Sequence, residues 1–194
     1  MNSSTRLFRA LVTCAGLASL TSVAIADGDD APARNGATFG VGVGGGHIVC
    51  TTKDGDDCDG DGANPAGGLD LRAGAMLSPR VALGAEVWGM THRDDRLKVS
   101  QGIIAGVVRG WVADRLWLQG GAGVARTTAE YDLGGLGTFT SKSDWVPAIV
   151  LGVGLELVSA PKFALDLELK GGTGLYDHEI NVQNISLGVG VSFY

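Results

Sequence analysis

The sequence predicts an all-β fold, an eight-stranded antiparallel up-and-down transmembrane β-barrel. Three observations carry that expectation. Apolar and polar residues alternate in segment after segment, as in Phe-Ala-Leu-Asp-Leu-Glu-Leu-Lys from Phe163 to Lys170. The connections between these segments are alternately tight and long. The polar phase consists of glycine, serine and isolated charges, in a chain with 32 glycines and 19% charged residues, against about 25% in a typical soluble domain. A strand sends successive side chains to opposite faces. A closed sheet with an apolar outside satisfies its own backbone within a bilayer.

Residues 1–26 have the pattern of a secretory signal. Arg6 and Arg9 supply the positive start, an apolar and small-residue run follows, and Ala24-Ile25-Ala26 fits the small-x-small cleavage rule with cutting before Asp27. Cys14 has only a faint lipobox context, because Thr13 is large and the apolar run before it is short. Removing the 26 residues leaves 168, which carry 13 of the 15 basic and all 21 acidic residues, a net charge of −8. No basic stripe exists to neutralise phosphates, which argues against a nucleic-acid partner. Past the signal no apolar run approaches the roughly 20 residues of a spanning helix. Residues 27–37 are expected as a short periplasmic N-terminal segment and 38–194 as the barrel.

Turn signals divide the barrel into strands at 38–49, 67–77, 80–91, 97–112, 115–127, 144–158, 162–175 and 180–194. Ser78 and Pro79, Ala113 and Asp114, and Ser159, Ala160 and Pro161 are tight turns. Residues 50–66, 92–96, 128–143 and 176–179 form longer or more polar loops. Both termini then lie on the tight-turn side. The strand from 162 points Phe163, Leu165, Leu167 and Leu169 one way and Asp166, Glu168 and Lys170 the other. Similar alternation runs through 67–77, 80–91, 144–158 and 180–194. The strand at 97–112 is less regular, since Arg109 is in phase with Val107 and Trp111. A soluble lipocalin-type barrel has the same period with the polarity reversed, so periodicity alone leaves it open. Phe163 and Phe193 suit one aromatic belt and Trp145, Tyr131 and Tyr176 the other rim, while Trp88 and Trp117 face inward.

The last strand closes on Leu187-Gly-Val-Gly-Val-Ser-Phe-Tyr194. With the signal and the meander, this ending resembles the small outer-membrane β-barrel proteins of Gram-negative bacteria, the shape of the OmpA transmembrane domain and OmpX. The resemblance implies tight turns toward the periplasm and loops toward the outside. It also implies a C-terminal assembly signal at Leu187, Val189, Val191, Phe193 and Tyr194. Its expected readers are the barrel-assembly machinery and periplasmic chaperones, and its expected surroundings are outer-membrane lipid and lipopolysaccharide. One departure stands out: the apolar phase ends at Phe193, so Tyr194 falls on the polar phase.

Several constellations could carry chemistry. Asp70, Arg72, Glu86, Arg109, Glu156, Asp166, Glu168 and Lys170 all belong to the polar phase. Five acids and three bases in one narrow tube form either an ion-pair network that plugs it or the lining of a weakly cation-preferring conduit. In the first outer loop Asp57, Asp59 and Asp61 followed by Gly62 copy the opening of a calcium loop. The closing Glu is replaced by Gly68, so Ca2+ has a half-matched site and no other cofactor is implied. Cys50 and Cys58 share that loop, and an exported chain meets an oxidising compartment, which favours a disulfide over two free thiols. His47, His92 and His178 have no serine two residues away, so no nucleophile and base are assembled in sequence.

These readings predict a non-enzymatic outer-membrane barrel with a structural or surface-interaction role and a closed or nearly closed charged lumen. The alternative is a narrow channel for ions or small solutes. A lipid-modifying enzyme and a soluble lipocalin-like binder are the further alternatives.

Overall fold

The computed structural model describes residues 34–52, 64–176 and 180–194. The strands are β1 (Ala37–Thr52), β2 (Asn64–Ser78), β3 (Val81–Arg93), β4 (Leu97–Trp111), β5 (Leu116–Asp132), β6 (Thr138–Lys142), β7 (Val146–Ser159), β8 (Phe163–Gly174) and β9 (Ile180–Phe193). All pair antiparallel, each with its chain neighbour except where β5 reaches past β6 to β7. β1 also pairs with β9, from Phe39 opposite Phe193 to Thr52 opposite Ile180. That last pairing closes eight strands into a ring and leaves the barrel wall no free edge.

The tight turns are held by short backbone bonds. Val112 N–H donates to the Leu116 carbonyl at 2.9 Å, and Ala160 N–H to the Phe163 carbonyl at 2.8 Å. Register shifts between Met76 and Ser78 and between Glu156 and Val158 lie at this same end. Each inserts one extra residue and bends the strand. The second brings Leu157 and Val158 both to the outside.

The ninth strand departs from the sequence expectation. Residues 128–143 read as a loop, but β5 continues to Asp132, a 3-10 turn follows at Gly134–Leu136, and β6 returns along β5 from Thr138 opposite Asp132 to Lys142 opposite Thr128. The barrel therefore has eight strands in its wall and a hairpin extension above it.

Burial decides the orientation of the faces. Leu69, Leu71, Leu151 and Leu187 are each more than half exposed, while Asp166 is fully buried and Glu156 is 1% exposed. A water-soluble barrel buries its aliphatic face and solvates its carboxylates, so the lipocalin-like alternative does not describe this molecule. Phe39, Phe193 and Phe163 are successive partners across β1, β9 and β8, all on the outer face at the tight-turn end. They form one continuous aromatic patch, and Phe39 joins the two residues expected there.

Candidate functional site in the barrel interior

The interior is stacked in three tiers. At the tight-turn end, Glu156 on β7 is the centre. Its carboxylate accepts from Arg34 Nη2 at 2.7 Å, Trp111 Nε1 at 2.6 Å, Ser159 Oγ at 2.7 Å and Tyr194 OH at 3.3 Å. Arg34 lies ahead of β1, yet it is 2% exposed and also donates to the Asp114 carbonyl at 2.7 Å. Its guanidinium carbon lies 4.5 Å from the Trp111 ring centroid. The polar phase of Tyr194 is thus realised as an inward turn: its ring meets Trp111 edge-on and its hydroxyl joins Glu156. Burial, followed by the Glu156 carboxylate, holds the Tyr194 phenol well above its ordinary range.

The middle tier is ionic. Lys170 Nζ reaches Asp70 Oδ1 at 2.6 Å, Glu86 Oε1 at 3.0 Å and Glu168 Oε2 at 3.2 Å. Arg72 Nη1 meets Glu168 Oε1 at 2.7 Å and its Nε lies 3.3 Å from Asp70 Oδ2. Arg109 donates from Nε and Nη2 to Gln119 Oε1 at 3.1 and 2.9 Å, and Gln119 passes its own N–H to Glu86. Asp166 accepts from Trp117 Nε1 at 3.2 Å and from Ser192 Oγ at 2.9 Å. Charges removed from water persist when paired and hydrogen-bonded in this way.

The third tier, toward the loops, is apolar. Ile48, Trp88, Met90, Ile103, Val150 and Val182 belong to one buried cluster, with Ala66, Ala105, Ala125 and Ala148 filling between them. This explains the irregular phase of β4, whose inner face carries Arg109 low in the barrel and Val107, Ala105 and Ile103 higher up. Gln101 and Thr127 bond the Tyr176 hydroxyl above the cluster, at 3.2 and 2.5 Å. Tyr176 therefore sits at the loop end, as expected, but turns inward rather than joining an outer belt.

Inward glycines make room for these groups. A Cβ on Gly154 would collide with the Trp117 indole, one on Gly42 with the Asp70 carboxylate, and one on Gly190 with Glu168 and Arg72. A cavity of about 40 Å³ remains beside Arg72, Arg109 and Ser192, and one of about 10 Å³ beside Asp70, Glu168 and Lys170.

The structure brings all eight polar-phase charges into the lumen and adds Arg34 as a ninth. Sequence reasoning did not include Arg34, Gln119 or Ser192. Gln119 and Ser192 share the inward phase of their strands and were legible by that signal, whereas Arg34 precedes any alternation. Leu187, Val189 and Phe193 point outward on β9, and Val191 shares their phase. His92 Nδ1 donates to the Pro65 carbonyl at 2.7 Å, and His47 is exposed on the outer face. Cys50 lies near the loop end of β1. Cys58, the acidic residues Asp57, Asp59 and Asp61, His178, and the signal residues Ala24 and Ala26 lie outside the described residues. Among the described residues no group of three His, Cys, Asp or Glu side chains is placed to hold a metal ion.

The family described as outer membrane protein beta-barrel domain matches residues 12–193. The chain belongs to this family. As an outer membrane protein barrel it is located in the bacterial outer membrane, and the exposed aliphatic face is its lipid-facing surface. The crystal structure of Ail, the attachment invasion locus protein of Yersinia pestis, is similar with a TM-score of 0.56 at 12% identity, covering 82% of this chain and 99% of that one. Neisserial surface protein A is similar with a TM-score of 0.55 at 17% identity, covering 81% of this chain and 98% of that one. At these identities the likeness is one of fold. No curated protein matches the chain in sequence.

Proposed function

We propose that this outer membrane barrel is a non-conducting, non-enzymatic protein with a structural or surface-interaction role, its lumen serving as a rigid plug. The observation that supports this reading is the burial of the lumen side chains. A bore wide enough for water leaves its lining wetted. Here Glu86, Glu156, Trp88, Met90 and Ile103, from three different strands, are each at most 3% exposed. The apolar tier lies across the path of any hydrated ion, and desolvating an ion there is costly.

In this reading the five carboxylates stabilise the wall rather than select cations. The outward strand residues Leu187, Val189, Val191 and Phe193, with inward Tyr194, serve as the assembly signal for the barrel-assembly machinery. Outer-membrane lipid and lipopolysaccharide surround the wall. Cys50 and Cys58 form the disulfide of the first outer loop, whose Asp57, Asp59 and Asp61 hold divalent cations only loosely.

Planar-bilayer recording on folded protein tests the plug. Heat-modifiable gel migration first establishes that the preparation is folded. The expected result is a silent bilayer. Reproducible unitary currents that Glu156→Gln or Glu168→Gln abolishes would establish the channel instead.

A further inference from the structure

We propose that β3, β4, β5 and β6 together form a binding face for the phosphorylated saccharide headgroup of an outer-leaflet glycolipid. The proposal rests on the outer-membrane reading and goes beyond it by assigning a lipid class to named residues. Following the outer face upward, the apolar band ends in a row of Val87, Ile104 and Val124. The next row across the same strands is Gly89, Gly102 and Arg126. Above it comes Thr91, Ser100, Thr128 and Lys142, and above that Arg93, Lys98, Glu130 and Thr140. Cations and hydroxyls thus replace aliphatic side chains at the point where hydrocarbon gives way to headgroups.

β6 is what completes this face. It places Lys142 beside Thr128 and Thr140 beside Glu130, above the height at which the barrel wall passes from β5 to β7. The one carboxylate within the rows, Glu130, is engaged by Lys98 at 3.2 Å. Arg93, Arg126 and Lys142 make no ion pair among the described residues. The Trp145 ring, half exposed, lies 5.7 Å from the Arg126 guanidinium carbon, and Arg126 also donates to the Ser143 carbonyl at 3.1 Å. Other acids of this sector, Asp94, Asp95 and Asp132, lie farther out, at the tips of the β3–β4 turn and the β5–β6 hairpin. Asp144 lies beside Trp145.

The remaining wall is different at this height. On the outer phase β1 shows His47, β2 Pro65, β8 Thr173 and β9 Gln183, with no lysine or arginine among them. Among the described residues this net-negative chain therefore has its rim cations gathered on one side. Guanidinium forks and hydroxyls suit phosphate oxygens. Gly102 has open space where a side chain would stand, which leaves a shallow notch beside Arg126 for the ligand's first acyl segment.

The test measures lipid retained per barrel, by native mass spectrometry, after transfer from nanodiscs of phosphatidylcholine doped with lipopolysaccharide. A parallel sample carries the same lipopolysaccharide with its phosphates removed, and EDTA is present throughout. The phosphorylated form should be retained about tenfold better. The variant Arg93→Gln/Lys98→Gln/Arg126→Gln/Lys142→Gln should lose that preference. Arg80→Gln/Arg115→Gln/Lys162→Gln, at the opposite rim, should keep it. The pairs Arg93→Gln/Lys98→Gln and Arg126→Gln/Lys142→Gln, each expected to lose part, replace the fourfold variant if it does not fold. Equal retention of both lipids, equal retention by the fourfold and control variants, or no retention of either lipid in EDTA overturns the proposal. Failure of the protein to enter nanodiscs would instead count against the membrane placement, and bilayer currents against the plug, so the three are separable.

Discussion

The guanidinium of Arg109 lies 3.7 Å from the centroid of the Trp117 ring. The same indole donates its N–H to Asp166 at 3.2 Å. Among the described residues neither Arg109 nor Asp166 has an ion-pair partner, so one neutral ring stands between a buried cation and a buried anion and serves both. A ring face attracts a cation through its quadrupole, and the indole N–H satisfies the carboxylate. Replacing Trp117 by Leu should lower unfolding free energy by about 3–5 kcal/mol, the range for large-to-small core changes. Trp117→Phe keeps the ring face and loses the donor, and should cost about 1–3 kcal/mol. Urea unfolding in detergent micelles, followed by tryptophan fluorescence and gel mobility, compares the two.

Lys170 satisfies three carboxylates from three strands. Lys170→Met should destabilise the barrel by about 3–5 kcal/mol, because removing one partner leaves buried charge uncompensated. Adding Glu168→Gln to that variant should recover part of the loss. Equilibrium unfolding of the two variants measures the coupling, and strict additivity would contradict it.

Gly154 faces the Trp117 indole with no room for a methyl group. Gly154→Ala should cost about 1–3 kcal/mol through overpacking. Gly102→Ala, on the open outer face, should cost little. The same unfolding assay tests the contrast.

Tyr194 gives a pH signature. Its folded-state phenol is held above its ordinary value of about 10, chiefly by burial and then by Glu156. Below pH 10 the phenol is protonated in both states and its contribution is complete. As pH rises past 10 the unfolded chain gives up the proton while the folded one retains it, so stability falls. The midpoint of urea unfolding should drop more steeply above pH 10 in the native protein than in Tyr194→Phe.

Arg34 should be the most informative residue of the N-terminal segment. Arg34→Ala removes the cation from Glu156 and should cost about 3–5 kcal/mol, while Arg34→Lys should cost less. Faster trypsin cleavage at the tight-turn rim, seen for the Ala variant but not for the native protein, would show that this end has loosened.

The legible part of the fold is what two-residue periodicity reaches. β8 shows it most clearly, since Leu167 and Glu168 have opposite surroundings and the chain alternates without error. β6 was not legible for the complementary reason. Thr138-Phe-Thr-Ser-Lys142 is exposed along its whole length and held to β5 through its backbone, so no alternation of hydropathy marks it. The phase conflict of Arg109 with Val107 was visible in the sequence. Its cause, a change from ionic to apolar filling partway up the lumen, is a three-dimensional fact. Likewise the odd phase of Tyr194 was visible, but not the Glu156–Arg34 cluster that receives it.

The fit of several inner side chains to glycines on other strands has a historical corollary. Trp117 and Gly154 cannot drift independently, because enlarging the glycine evicts the rigid indole, and a larger residue at Gly42 or Gly190 would make the Asp70 or Glu168 carboxylate shift. Homologous chains should have exchanged such partners together, moving hole and occupant in one step to a new place in the tube. Sequence divergence within the wall would then proceed by coupled swaps, even while the outward aliphatic residues interchange freely.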